Sequence, residues 1–270
     1  KFFWVSILAA VSIYIAAAAH LYFNQASYVY HPTKEWAATP EKIGLEYENI
    51  TFSAADGTRL SGWYIPSQDP RGTLLFCHGN ANNISYELSP MAMYHKLGFN
   101  LFFFDYRGYG HSEGLPSQKG VQLDAEAALD FLLNKKKIPL DQIILLGRSF
   151  GGSVAIPLAV KHPFRALIVE ASFTSLADIG AKMYPFFPVR QLLRDPYNSI
   201  AFLPTVKSPV LVVHSRDDQL IPYEQGRRLY EAAPEPKQFL EITGPHDNRN
   251  DPVSQAIYRR GIADYLMKAQ

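Results

Sequence analysis

A single cysteine, Cys77, stands in a chain of 270 residues, which excludes an internal disulfide and any multi-cysteine metal site. It lies in the apolar run Leu74-Leu75-Phe76-Cys77, the setting of a small buried residue rather than a reactive thiol. An excess of charge of one sign is lacking too. Lys and Arg number 26 against 25 Asp and Glu, and the one basic run, Lys135 to Lys137, follows an apolar helical stretch, where cations suit the helix dipole. No basic stripe is long enough to track phosphates, so nucleic acid is not an expected partner. There is no H-E-x-x-H and no paired histidine spacing, and Gly108, Gly110 and Gly114 do not make a G-x-G-x-x-G fingerprint. No metal and no cofactor is expected.

Asp, Glu, Lys and Arg are all missing from Phe2 to Phe23, and about 20 such residues at ~1.5 Å each cross a hydrocarbon layer of roughly 30 Å. Residues 1–23 are therefore expected to form a single-pass transmembrane anchor. The rival is a cleaved signal peptide, for which Ala16 to Ala19 supply small residues; against it, the apolar run continues through Leu21, Tyr22 and Phe23. Tyr28 and Tyr30 suit an interfacial aromatic belt. The side of the membrane is left open by Lys1 and Lys34, which flank the span.

Residues 24–44 read as a polar, Pro-containing connector, and residues 45–270 as one catalytic domain, since 47% apolar residues suffice for a full core. Glu46 to Ser53 and Arg59 to Ile65 alternate in polarity about Asp56-Gly57, the pattern of a hairpin. Continuous apolar runs at Thr73–Cys77, Asn100–Phe104, Gln142–Leu146, Ala166–Val169, Val210–Val213 and Phe239–Ile242 are those of strands buried on both faces of a parallel sheet. Helical spacing separates them at Ser85–Leu97, Gly120–Leu133, Gly151–Lys161, Tyr223–Ala233 and Val253–Met267. The fold class is α/β: a mostly parallel central sheet with helices on both faces.

Gly147-Arg148-Ser149-Phe150-Gly151-Gly152 joins an apolar strand to a helix, the setting of a nucleophile elbow. Glycines on either side of the serine remove side chains where strand and helix crowd together. A serine hydroxyl is a weak nucleophile unless a base and an orienting carboxylate accompany it. After later strands come Asp218, in His214-Ser215-Arg216-Asp217-Asp218, and His246, in Gly244-Pro245-His246. Ser149 as nucleophile, His246 as base and Asp218 as orienting acid make the expected catalytic set, with Asp217 an alternative acid. His20, His31, His95, His111 and His162 read as surface or packing residues, His214 as a loop brace and Asp105 as a structural carboxylate. The amides of Asn80, in His78-Gly79-Asn80, and of Phe150 are the expected oxyanion donors, unless His78-Gly79 is merely a tight loop.

Taken jointly, His78-Gly79-Asn80-Ala81, Asp105-Tyr106-Arg107-Gly108-Tyr109-Gly110 with Ser112, the serine hexapeptide, Asp218 with Ile221-Pro222, and Gly244-Pro245-His246 resemble the α/β-hydrolase superfamily. The resemblance runs from about Tyr28 to the C-terminus and points to its ABHD-type, BEM-like branch of membrane-anchored serine hydrolases. It implies esterase, lipase, thioesterase or lysophospholipase activity. Pro245-His246-Asp247 departs from the Gly-His-Asn of many relatives, and the proline stiffens the histidine loop.

Between Ser149 and Asp218 there is room only for a short cap, expected at residues 173–204. Its aromatic cluster, Met183, Tyr184, Phe186 and Phe187, is expected to bind an acyl chain or to rest on lipid; packing of the cap onto the body is the plainer role for it. An acyl ester or thioester presented at a membrane is the expected substrate. Peptide hydrolysis on the same residues and a non-catalytic scaffold are the alternatives.

Overall fold

A computed structural model describes residues 2–246 and 252–268. Helix α1 (Phe2–Phe23) contains no buried residue and is apolar all round, a surface that suits hydrocarbon better than water. It is long and apolar enough to cross a membrane. The segment after it holds more structure than its polar composition suggests. A short helix, Gln25–Val29, leads into His31–Pro32, which pairs in parallel with Ala81–Asn82, and a 3₁₀ turn follows at Pro40–Ile43.

The hairpin β1 (Glu48–Ser53) and β2 (Arg59–Ile65) turns at Gly57, whose φ of 84° favours a residue without a Cβ. Strand and helix then alternate: β3 (Thr73–Cys77), α2 (Leu88–Lys96), β4 (Asn100–Asp105), α3 (Gln118–Asp130), β5 (Ile143–Arg148), α4 (Phe150–Lys161), β6 (Ala166–Glu170), α5 (Leu176–Met183), β7 (Val210–Ser215), α6 (Tyr223–Ala232), β8 (Lys237–Ile242) and α7 (Pro252–Lys268). The eight strands form one sheet in the order β8-β7-β6-β5-β3-β4-β2-β1. It is parallel from β8 to β4, while β2 is antiparallel to both β4 and β1.

Alternate residues of one strand enter opposite cores. Leu75, Leu145, Leu167 and Val212 pack under the helices of one face, and Leu74, Phe76, Ile144, Ile168 and Leu211 under those of the other. Burial on both faces is why these strands read as unbroken apolar runs. Because the central strands are parallel, their C-terminal ends share one edge: Cys77 lies beside Gly147, Arg148 beside Glu170 and Ser215 beside Ile242. Loops leaving β3, β5, β7 and β8 therefore emerge together.

At that edge β5 reverses into α4 within one residue. Ser149 takes φ 53° and ψ −120°, a conformation that non-glycine residues rarely adopt, and its amide donates to the Glu170 carbonyl at 2.7 Å. The reversal brings α4 against β3 so closely that a Cβ on Gly151 would lie 1.9 Å from the Cys77 carbonyl oxygen, and one on Gly147 2.3 Å from the Gly151 oxygen. Both neighbours are backbone and have nowhere to move.

Beneath the same edge, two ionisable groups end adjacent strands inside the protein. His78 stacks on Tyr106 at 4.1 Å, and its Nε2 lies 3.9 Å from Asp105 Oδ1. Asp105 accepts from the Ile84 amide at 2.9 Å and, more distantly, from the Trp36 indole at 3.4 Å, the bracing of a structural carboxylate. Burial pushes Asp105 up to about 7 and His78 down to about 4, because a poorly solvated site disfavours either charge.

Two predictions follow from these packed groups. Gly151→Ala is expected to lower the denaturant midpoint by the equivalent of at least ~2 kcal/mol, or to prevent folding, whereas exposed Gly44→Ala, with no atom within 4 Å of its Cβ, pays only the cost of its left-handed backbone, about 1 kcal/mol. The buried pair has opposed pH effects. His78 is depressed in the fold, so acidification from about 6.5 to about 4 protonates the unfolded chain first and removes stability; Asp105 is raised, so the same acidification adds stability. Unfolding titrations at pH 7 and pH 4 should then show the stability gap between wild type and His78→Gln narrowing by up to roughly 3 kcal/mol at acid pH, and that between wild type and Asp105→Asn widening.

Candidate active site

Ser149, His246 and Asp218 arise from the turn after β5, the loop after β8 and the loop after β7, and the shared edge brings them together. His246 Nε2 lies 3.0 Å from Ser149 Oγ, and its Nδ1 lies 2.6 Å from Asp218 Oδ2. The carboxylate dictates the tautomer: Nδ1 carries the proton that Asp218 accepts, which leaves Nε2 with a lone pair toward the hydroxyl. The Asp218 side chain is fully buried, and its other oxygen accepts from the amides of Leu220 and Ile221 at 2.9 and 2.8 Å. A buried carboxylate that accepts three hydrogen bonds is fixed in position.

Asp217, the alternative acid, turns away. Its Oδ2 accepts from the Gly244 amide at 2.9 Å, so it ties the β7 loop to the histidine loop. His214 is a brace: wholly buried, its Nε2 donates to the Ile221 carbonyl at 2.9 Å and lies 3.7 Å from Asp218 Oδ2. It thus clamps the same turn whose amides reach Asp218. Asp247, part of the departure at the histidine loop, lies outside the described residues.

The loop 78–83 passes directly beside the serine, and a Cβ on Gly79 would stand 4.0 Å from Ser149 Cβ. Asn80 is fixed from several sides. Its side-chain amide donates to the Val29 carbonyl at 2.8 Å, and its own carbonyl accepts from Tyr109 Oη at 2.8 Å and the His31 amide at 2.9 Å. Phe150 begins α4, so its amide is among those that a helix N-terminus leaves without an intrahelical acceptor. Phe150 follows the serine directly, and the loop that carries Asn80 passes beside it.

Behind Ser149, Arg148 points the other way, with Nε 3.3 Å from Glu170 Oε1, and the Tyr258 hydroxyl donates to Glu170 Oε2 at 2.6 Å. The elbow is thereby tied to α7.

The cap spans α5 and two short helices, Val189–Leu192 and Ser199–Phe202. Between α5, the Val189–Leu193 segment and the C-terminal part of α1 with its continuation lies an apolar cavity of about 120 Å³, with Met183, Tyr184 and Phe187 in its wall. Phe186 is not in that wall. It is 85% exposed, and only its carbonyl is engaged, by Tyr14 Oη at 2.9 Å. Adjacent residues at a tight tip face opposite ways, so a run of aromatics cannot line one surface throughout. Tyr30 also departs from expectation: it is buried, with its hydroxyl 2.6 Å from that of Tyr197 and its ring edge-on to Phe150 at 5.8 Å. It is a core residue under the elbow, and Tyr28 alone of that pair is exposed. The sequence carried no signal for this, because the contact joins positions far apart in the chain.

Comparison with known proteins agrees with this architecture. A family model described as alpha/beta hydrolase fold matches residues 72–197. WAV2 of Arabidopsis thaliana, an alpha/beta hydrolase domain-containing protein, is 36% identical over 244 residues, covering 82% of this chain and 79% of that protein. Protein bem46 of Schizosaccharomyces pombe is 31% identical over 274 residues, covering 96% and 91%. Among solved structures, the Pyrococcus furiosus esterase Pf2001 superposes with a TM-score of 0.73 at 22% identity, covering 89% of this chain and 97% of that one. An esterase domain from Rhodothermus marinus gives 0.63 at 21%, covering 83% and 99%. With relatives above 30% identity matched over most of their length and the same sheet underneath, the chain belongs to the α/β-hydrolase superfamily, in the company of its bem46-like, ABHD-type members.

Proposed function

We propose that this protein is a serine hydrolase that cleaves carboxylic esters or thioesters through an acyl-enzyme intermediate. The observation that carries this reading is the unbroken row of hydrogen bonds from Asp218 through His246 to Ser149. In this reading Ser149 Oγ attacks the carbonyl carbon while His246 Nε2 takes its proton, and Asp218 stabilises the imidazolium so formed. The carbonyl oxygen becomes an oxyanion and is received by the amides of Asn80 and Phe150, each donor being worth ~10²- to 10³-fold in turnover. His246 then hands its proton to the departing alcohol or thiol. Water, deprotonated by the same imidazole, releases the acid and restores the serine. The steps draw on three side chains, two backbone amides and one water.

An apolar α1 directly ahead of the catalytic domain supports a single-pass anchor that holds the enzyme at a membrane, with acylated molecules there as substrates. Esterases among the structural neighbours fit the reaction class. The same three residues could cleave an amide, but the apolar helix beside the cap favours an acyl ester or thioester over a peptide, and a scaffold has no use for the hydrogen-bonded row.

A fluorophosphonate probe should label the wild-type protein and leave Ser149→Ala unlabelled; a wild type that resists labelling would refute the hydrolase reading. Asp218→Asn keeps the shape of the acid but offers His246 the wrong partner, and should lower kcat on a short ester by roughly 10³- to 10⁴-fold with little change in KM. For the anchor, alkaline carbonate washing of membranes that carry the full chain should leave it in the pellet, and release into the supernatant would favour a cleaved leader.

A further inference from the structure

Two features bear on where a substrate's acyl part would lie. One is the cavity under the cap. The other is the way α1 meets the cap from outside, an arrangement for which simple tethering gives no reason. Tyr14 stacks on Phe187 with ring centres 5.2 Å apart and planes within 5°, and its hydroxyl bonds the Phe186 carbonyl. Nearer the domain, the Gln25 side chain donates to the Leu192 carbonyl at 2.8 Å and accepts from the Arg194 amide at 2.9 Å. Tyr22 lies under the Arg194 guanidinium at 5.3 Å. The cap is thus held along the helix, and between the two the cavity remains open.

We propose that this cavity is the acyl-chain site, with α1 and its continuation, through Leu21, Tyr22, Gln25, Tyr28 and Val29, forming one wall and the cap the other, so that the anchor is itself part of the substrate site. The proposal rests on the hydrolase reading for the substrate's identity, but the cavity stands independently of it.

Three observations favour an apolar chain, held close to the serine, as the occupant. Leu21, Val29, Leu176, Ile179, Val189 and Leu193 dominate the lining. The one amide side chain in it, Gln25, has both its polar ends engaged by cap backbone, so it has little left to offer a polar ligand. Thirdly, the wall is tied to the serine's surroundings: Val29 is in it, its carbonyl receives the Asn80 side chain, and the next residue, Tyr30, packs on Phe150.

The position of the contact says where such a chain comes from. Tyr14 precedes the end of the apolar run at Phe23 by nine residues, or ~13 Å along a helix. A cap fastened at Tyr14 is therefore held beside the apolar part of α1, with Met183 and Phe186 exposed next to it. An acyl chain reaches the cavity from the hydrocarbon layer without crossing water, which is the step that costs most for a long chain.

The test uses the full chain in detergent micelles with p-nitrophenyl esters from butyrate to palmitate, and cis-parinaric acid as a fluorescent probe of the cavity. Leu21→Trp, on the anchor wall, and Ile179→Trp, on the cap wall, fill the space from opposite sides. Each should lower kcat/KM for palmitate by at least ~10-fold while leaving butyrate within ~2-fold, the retained butyrate rate showing that the fold and Ser149 are intact. Each should also weaken cis-parinaric acid binding to the Ser149→Ala background, a readout that needs no turnover. If the wild type hydrolyses no ester, the hydrolase reading fails while the binding arm still decides the cavity. Unchanged chain-length profiles overturn the proposal. So does loss of probe binding without a change in profile, which makes the cavity a free fatty-acid site off the path of turnover.

Discussion

The first turn of α4 lies against the end of β3 at a distance that admits no side chain, and the rest of the site depends on that approach. Gly147 and Gly151 permit it, and the left-handed backbone of Ser149 is its result. Without the close packing, the serine would sit in an ordinary strand-to-helix loop, its hydroxyl free to choose among rotamers and its distance from the β8 loop undefined. With it, the serine's backbone and Cβ are fixed, and a histidine carried by a separate loop finds the hydroxyl at hydrogen-bonding distance. Strain at one residue is held by the packing of a whole helix.

The parallel sheet supplies the second condition. Strands that run the same way deliver their following loops to one edge, so residues 97 and 28 positions from His246 in sequence become its neighbours. This part of the architecture was legible beforehand, because strands buried on both faces leave continuous apolar runs and the reactive residues follow those runs in a definite order. The choice between Asp217 and Asp218 was less so. Both leave the same strand, and only the loop's path decides that one bonds the Gly244 amide while the other reaches the imidazole. Patterns of hydrophobicity report which residues are inside, not which way a loop turns.

The segment between α1 and β1 shows the limit more sharply. Its composition is that of a connector, yet Val29, Tyr30 and His31 bond or pack against the loop and helix that flank Ser149. Such contacts are single hydrogen bonds and ring edges between distant positions, with no period to reveal them. For the same reason Phe186 was grouped with its aromatic neighbours, although the backbone at the cap's tip turns its ring outward. Tyr28 and Tyr30, two positions apart and alike in composition, divide between surface and core.

The parallel bridge from His31–Pro32 to Ala81–Asn82 bears on how the molecule is best trimmed. A soluble form cut at the hairpin, where the sheet begins, would discard the backbone partner of the Asn80 carbonyl and the acceptor of its side chain, and would leave a well-folded sheet with a slack loop at its working edge. Shortening should stop ahead of Gln25, since the catalytic body, as a mechanical unit, starts there and not at its first strand.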